Sequence, residues 1–145
     1  MPDLKLLALD KEDLEVVSAY TQDAVVRVAD MGFVKSDQRF ACIMNRYVWE
    51  EGDHKTKGHR RRSAMHFDHV LDIKSTGINL EARDGILDLL TIGFDIQDAP
   101  GGVITLNFAG GGTIELMVEC LELHLSDLGA SWAAKAIPTH QIGDN

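Results

Sequence analysis

Long apolar runs are missing from this 145-residue chain. That excludes a membrane-spanning helix, which needs about 18 or more consecutive apolar residues. Cysteine is scarce: Cys42 and Cys120 stand alone, far apart and in apolar surroundings, which suits a reducing compartment better than a disulfide framework. The opening Met1-Pro2-Asp3-Leu4-Lys5 has no basic stretch followed by an apolar one, so no secretory signal and a cytoplasmic location are expected. Basic residues are outnumbered, 14 against 23 acidic, for a formal charge of -9. Such a chain is repelled by nucleic acid and by anionic membranes. Catalytic signatures are also lacking. There is no Gly-x-Ser-x-Gly elbow, His-Glu-x-x-His, Cys-x-x-Cys, phosphate loop or dinucleotide fingerprint. No cofactor is implied.

What is present is an ordinary globular balance, 45% apolar and 26% charged. One domain over residues 1–137 is expected, followed by a polar tail over 138–145. Leu4 to Leu9 reads as a short strand. Asp10 is the N-cap of an amphipathic helix from Lys11 to about Gln22, with Glu12 and Asp13 in its first turn and Leu14 and Val17 on its apolar face. From Ala24 the period becomes two, in runs over Ala24–Val34, Arg39–Glu50, Arg61–Lys74, Ile86–Gln97, Gly102–Ala109 and Thr113–Leu125. Gly32 suggests a bulge in the first run. Ser126 and Asp127 read as caps of a short C-terminal helix carrying Leu128, Trp132 and Ala136. The fold class is therefore α+β. A mainly antiparallel sheet curls into a partly closed, pleckstrin-homology-like barrel with one helix at each end.

Two hairpins fix the pattern. A reversal centred on Gly111 sets Phe108 opposite Ile114, Leu106 opposite Leu116 and Ile104 opposite Val118, all on one face. Pro100-Gly101 suits the centre of a type II turn, which leads back to a strand with Leu90, Ile92, Phe94 and Ile96 on one face. A loop near Lys55–Thr56 would set Phe40 opposite Leu71, Cys42 opposite His69 and Met44 opposite Phe67. Ile43, Asn45, Tyr47 and Trp49 would then lie on the other face with Arg62, Ala64, His66 and Asp68. Near Cys120 the phase slips, and Leu121, Leu123 and Leu125 take over on odd positions.

Two constellations carry chemistry. Asp53 to Arg62 holds Lys55, Lys57, Arg60, Arg61 and Arg62 against one acid, beside Tyr47 and Trp49. This reads as a docking site for a phosphate-bearing ligand or an acidic protein, or as a solvated hairpin tip with the rings buried under the helix. His66-Phe67-Asp68-His69 places His66 and Asp68 on one strand face and His69 on the other. Spacing alone supplies at most two ligands there, one short of a usual catalytic zinc set.

Tyr47-Val48-Trp49-Glu50, Arg60-Arg61-Arg62, Phe67-Asp68, Phe108-Ala109-Gly110-Gly111 and Val118-Glu119-Cys120 through Asp127-Leu128-Gly129 resemble the short alphaproteobacterial proteins of domain-of-unknown-function family 2948. The resemblance runs from the N-terminal helix to Trp132. It implies a bacterial cytoplasmic single-domain protein and brings no activity or site residue. The leading expectation is a non-enzymatic binding module that uses the basic loop. The alternatives are a small metal-dependent enzyme centred on His66, Asp68 and His69, and a structural protein that forms a homodimer through an exposed sheet face.

Overall fold

The computed structural model describes residues 3–51 and 58–133. The order is β1 (Lys5–Ala8), α1 (Lys11–Tyr20), β2 (Ala24–Val34), β3 (Arg39–Tyr47), β4 (His59–Phe67), β5 (Val70–Thr76), β6 (Ile86–Ile96), β7 (Gly102–Phe108), β8 (Thr113–Val118) and β9 (Leu123–Ala133). The nine strands of the described residues join one antiparallel sheet in the order β1-β9-β4-β3-β2-β6-β7-β8-β5. Strands β1 and β5 are its edges and do not pair with each other, so the expected barrel closure is not found among the described residues. No described helix is long and apolar enough to cross a membrane.

Helix α1 starts where its chemistry says. The Asp10 carboxylate accepts the Asp13 backbone N–H at 2.8 Å, and Leu14 and Val17 are buried. The helix packs against β6 and β1. One core collects alternate residues from the strands, including Phe40, Cys42, Met44, Met65, Phe67, Ile104, Leu106, Phe108, Ile114, Leu116, Leu123 and Leu125. Phe94 packs on the same core. Burial raises the Cys42 thiol to about 12, so this cysteine stays a neutral apolar filler.

Both hairpin registers slip by an even number of residues, so faces within these strands are preserved while partners change; Leu71 and His69, expected on the core face opposite Phe40 and Cys42, fall beyond β4, and Leu71 is exposed. In β7–β8, Ile104 pairs with Leu116 and Leu106 with Ile114. The loop is Ala109-Gly110-Gly111, centred on Gly110 and not on Gly111, because the Phe108 N–H closes it on the Gly112 carbonyl. In β3–β4, Phe40 pairs with Phe67, Cys42 with Met65 and Met44 with Ser63.

The remaining differences are local. The bulge in β2 falls between Val26 and Met31, whereas Gly32 pairs regularly with Ala41. Strand β6 bulges at Leu90, which exposes Leu90 and leaves Leu89 in the core, and Ile96 is also exposed. The turn before β7 centres on Ala99 and the cis-linked Pro100, since the Gly101 N–H donates to the Asp98 carbonyl. The run from Arg61 to Lys74 breaks at Asp68-His69, and the run from Thr113 to Leu125 breaks after Val118.

The expected C-terminal helix is absent over Ser126–Ala133, which continues β9. Strand pairing with β4 overrides the helical spacing of Leu128 and Trp132, and Gly129 at φ +105 supplies an irregularity there. Residues 134–137 and the expected tail lie outside the described residues.

The connections position the site. Strands β4 and β5 sit far apart in the sheet order, yet only Asp68 and His69 link them. Four residues, Glu119 to Glu122, carry the chain from β8 back to β9. Two short links between distant strands require the sheet to bend back toward itself. They meet there: the Asp68 N–H donates to the Glu122 carbonyl and the Glu119 N–H to the His69 carbonyl.

Candidate metal centre

The crossing of these links gathers side chains from three segments. His66 on β4 pairs directly with His124 on β9, and their rings stack at 4.6 Å. Asp68 follows one residue after β4. His66 Nδ1 lies 3.5 Å from Asp68 Oδ1, and His124 Nε2 lies 3.8 Å from Asp68 Oδ2. Among the described residues, His66, Asp68 and His124 form the one trio whose ligand atoms all lie within 4.8 Å of one another. All three are partly buried.

Surrounding groups orient the trio. Arg39 Nε donates to Asp68 Oδ1 at 2.7 Å, leaving Oδ2 turned toward His124. Glu122 bridges two histidines, with Oε1 at 3.0 Å from His69 Nε2 and Oε2 at 2.8 Å from His124 Nε2. His66 Nδ1 is buried and has no hydrogen-bond partner.

The electrostatics favour ligand forms. Burial depresses the His66 pKa, outweighing the pull of Asp68, so the neutral imidazole prevails near neutral pH. Burial works to raise the Asp68 carboxyl, but the hydrogen bond and charge of Arg39, with both histidines, hold it below the usual carboxylate range. Hydrogen bonds from His124 and His69 depress Glu122. A neutral histidine and an ionised carboxylate are what a metal requires.

Of the residues expected at this site, His66 and Asp68 come together, whereas His69 turns away. It sits in the left-handed region at φ +60 and reaches Glu122, not Cys42. His124 and Glu122 are the residues that sequence reasoning missed.

Among the described residues of the other candidate site, Arg60 and Arg61 do not lie on a free cationic surface. Lys55 and Lys57 lie outside the described residues. Arg60 and Arg61 are only 3% and 4% exposed, and Arg62 is half-buried. The Arg60 guanidinium donates to the Asn45 carbonyl at 2.9 Å and lies 5.7 Å from the Tyr47 ring centre. Tyr47 is fully buried and meets the Trp49 ring edge-on at 4.5 Å, while Trp49 Nε1 donates to the Gln22 carbonyl just past α1. Arg61 is bound to Asp3 and to the Gly129 carbonyl. These side chains serve the interior.

The fold and site thus define an α+β domain with an open antiparallel sheet, whose bend holds a histidine–carboxylate cluster. The family model described as "Protein of unknown function (DUF2948)" matches residues 4–140, and the chain belongs to that family. No curated protein and no solved structure matches it.

Proposed function

We propose that the protein binds a divalent transition metal through His66, Asp68 and His124. The observation that carries this reading is the convergence of two imidazoles and one carboxylate from β4, its connector and β9 within 4.8 Å. Two histidines and one carboxylate form a recurrent set for zinc and for non-haem iron, and three protein ligands leave coordination positions open for a small molecule. Arg39 would be the outer group that fixes the Asp68 carboxylate. Glu122 holds His124 Nε2, the nitrogen that faces Asp68, so a metal on that nitrogen would displace this contact. Support for a basic docking loop is weaker, because Arg60 and Arg61 are spent inside the fold.

The test is metal titration of untagged protein stripped with chelator. One equivalent of zinc or ferrous iron should bind. His66→Ala and His124→Ala should each lose at least tenfold in affinity, and His69→Ala should stay within a few-fold. Failure to bind any divalent transition metal, or unchanged affinity in the His66→Ala/His124→Ala double variant, overturns the reading.

A further inference from the structure

Beside the histidine cluster, the outer face of β2, β3 and β4 holds a groove of about 530 Å³. Its floor is made by small or aliphatic side chains, Gly32, Ala41, Ile43 and Ala64. Strand register explains its shape. Gly32, Ala41 and His66 occupy one cross-strand row, and Ile43 and Ala64 the next, so the sheet face is low where these residues sit. The groove therefore runs up to His66, whose ring also belongs to the metal trio.

Its ends differ in charge. Arg39 lines the end near Asp68. Its side chain is half exposed, and among the described residues its only hydrogen bond is from Nε, so both terminal nitrogens can take another acceptor. Asp30 lines the opposite end, about 13 Å further along the strand direction. Without an ion, Asp68 and Glu122 outnumber Arg39 and would repel an anion. A divalent ion reverses that balance.

We infer that the groove takes a small monocarboxylate with an unbranched aliphatic tail, its head between Arg39 and the metal and its tail over Gly32, Ala41, Ile43 and Ala64. This rests on the metal-binding reading above. Asp30 disfavours a second negative group at the tail end, which excludes dicarboxylates. The volume is within the usual range for small-molecule sites.

Calorimetric titration with octanoate tests the inference, on protein carrying one bound zinc and on metal-free protein. Saturable binding is expected to the zinc form, with at least tenfold weaker binding to the metal-free form. Acetate and octanol should also bind the zinc form at least tenfold more weakly. Gly32→Leu supplies a selective block, because a Cβ at that position meets nothing within 4 Å and the residue needs no positive φ. That variant should lose at least tenfold in octanoate affinity with zinc affinity within twofold, and Ala64→Leu should do the same. Zinc binding without octanoate binding overturns this inference alone, as does equal affinity for octanol or an unaffected Gly32→Leu. Absence of binding by any divalent transition metal overturns both readings.

Discussion

Arg46 and Asp127 show how much one buried pair carries. Both side chains are fully buried, joined by Arg46 Nε to Asp127 Oδ1 at 2.9 Å and Nη2 to Oδ2 at 3.0 Å. Glu50 takes the other side of the guanidinium; Ser63 Oγ and the Leu4 N–H donate to the Asp127 carboxylate, and Arg61 Nη1 lies 3.6 Å from its Oδ2. Arg46→Met would leave the buried Asp127 with only the more distant Arg61 as a cationic partner and should cost up to about 3–5 kcal/mol, measured by urea unfolding. Acid sensitivity follows from the same group. Burial works to raise the Asp127 carboxyl, but hydrogen bonds from Arg46, Ser63 and the Leu4 backbone hold it below its ordinary value. A depressed carboxylate contributes stability above the unfolded-state pKa, about 3.9, and loses it as pH falls through the lower folded value. The urea midpoint should therefore fall below about pH 4, and Asp127→Asn should flatten that part of the profile. Asp68 and Glu122 act in the same direction and leave a residual slope.

At the scale of elements, the β7–β8 hairpin depends on backbone freedom. Gly110 and Gly111 sit at φ +88 and +94, and a Cβ on either would meet open space. Replacement is thus penalised by conformation alone. Gly111→Ala should destabilise by about 1–2 kcal/mol, whereas Gly93→Ala, also in open space but without positive φ, should be neutral or better. Denaturant midpoints of the two variants give the comparison. Strand β9 is the element whose identity was least visible. Leu128 and Trp132 stand four apart, as on a helix, yet Leu123, Leu125 and Asp127 continue the period of two into the interior. The same alternation sends Glu122 and His124 to the outer face, and that was the available signal for the third member of the cluster. Pairing of β9 with β4 turns the signal into a site, and no local feature of either strand specifies that pairing.

For the molecule as a whole, the proposed metal binding would be linked to folding, because His66, Asp68 and His124 come from segments that only the folded sheet brings together. At a free metal concentration 100 times the dissociation constant, stability should rise by about 2.7 kcal/mol, or several degrees in Tm. Thermal melts with and without zinc will show this, and the shift should vanish in the His66→Ala/His124→Ala protein. Unshifted melting of wild type in saturating zinc contradicts the linkage.

The amino-acid pattern alone determined the start of α1 at Asp10, the span of β2, the apolar faces of most strands and the glycine reversal. Each rests on neighbours within a few residues, where capping, alternation and turn chemistry act. Only the tertiary structure decided the exact registers of the hairpins and the pairing of strands distant in sequence, such as β9 with β1 and β4. An even register slip costs the core nothing, because alternation is blind to it. Burial of Arg60 and Arg61, and the meeting of His66 with His124, follow from contacts between residues far apart in the chain. Long-range pairing decided them, and that is why the arginines read as exposed and the place of His124 beside His66 went unseen.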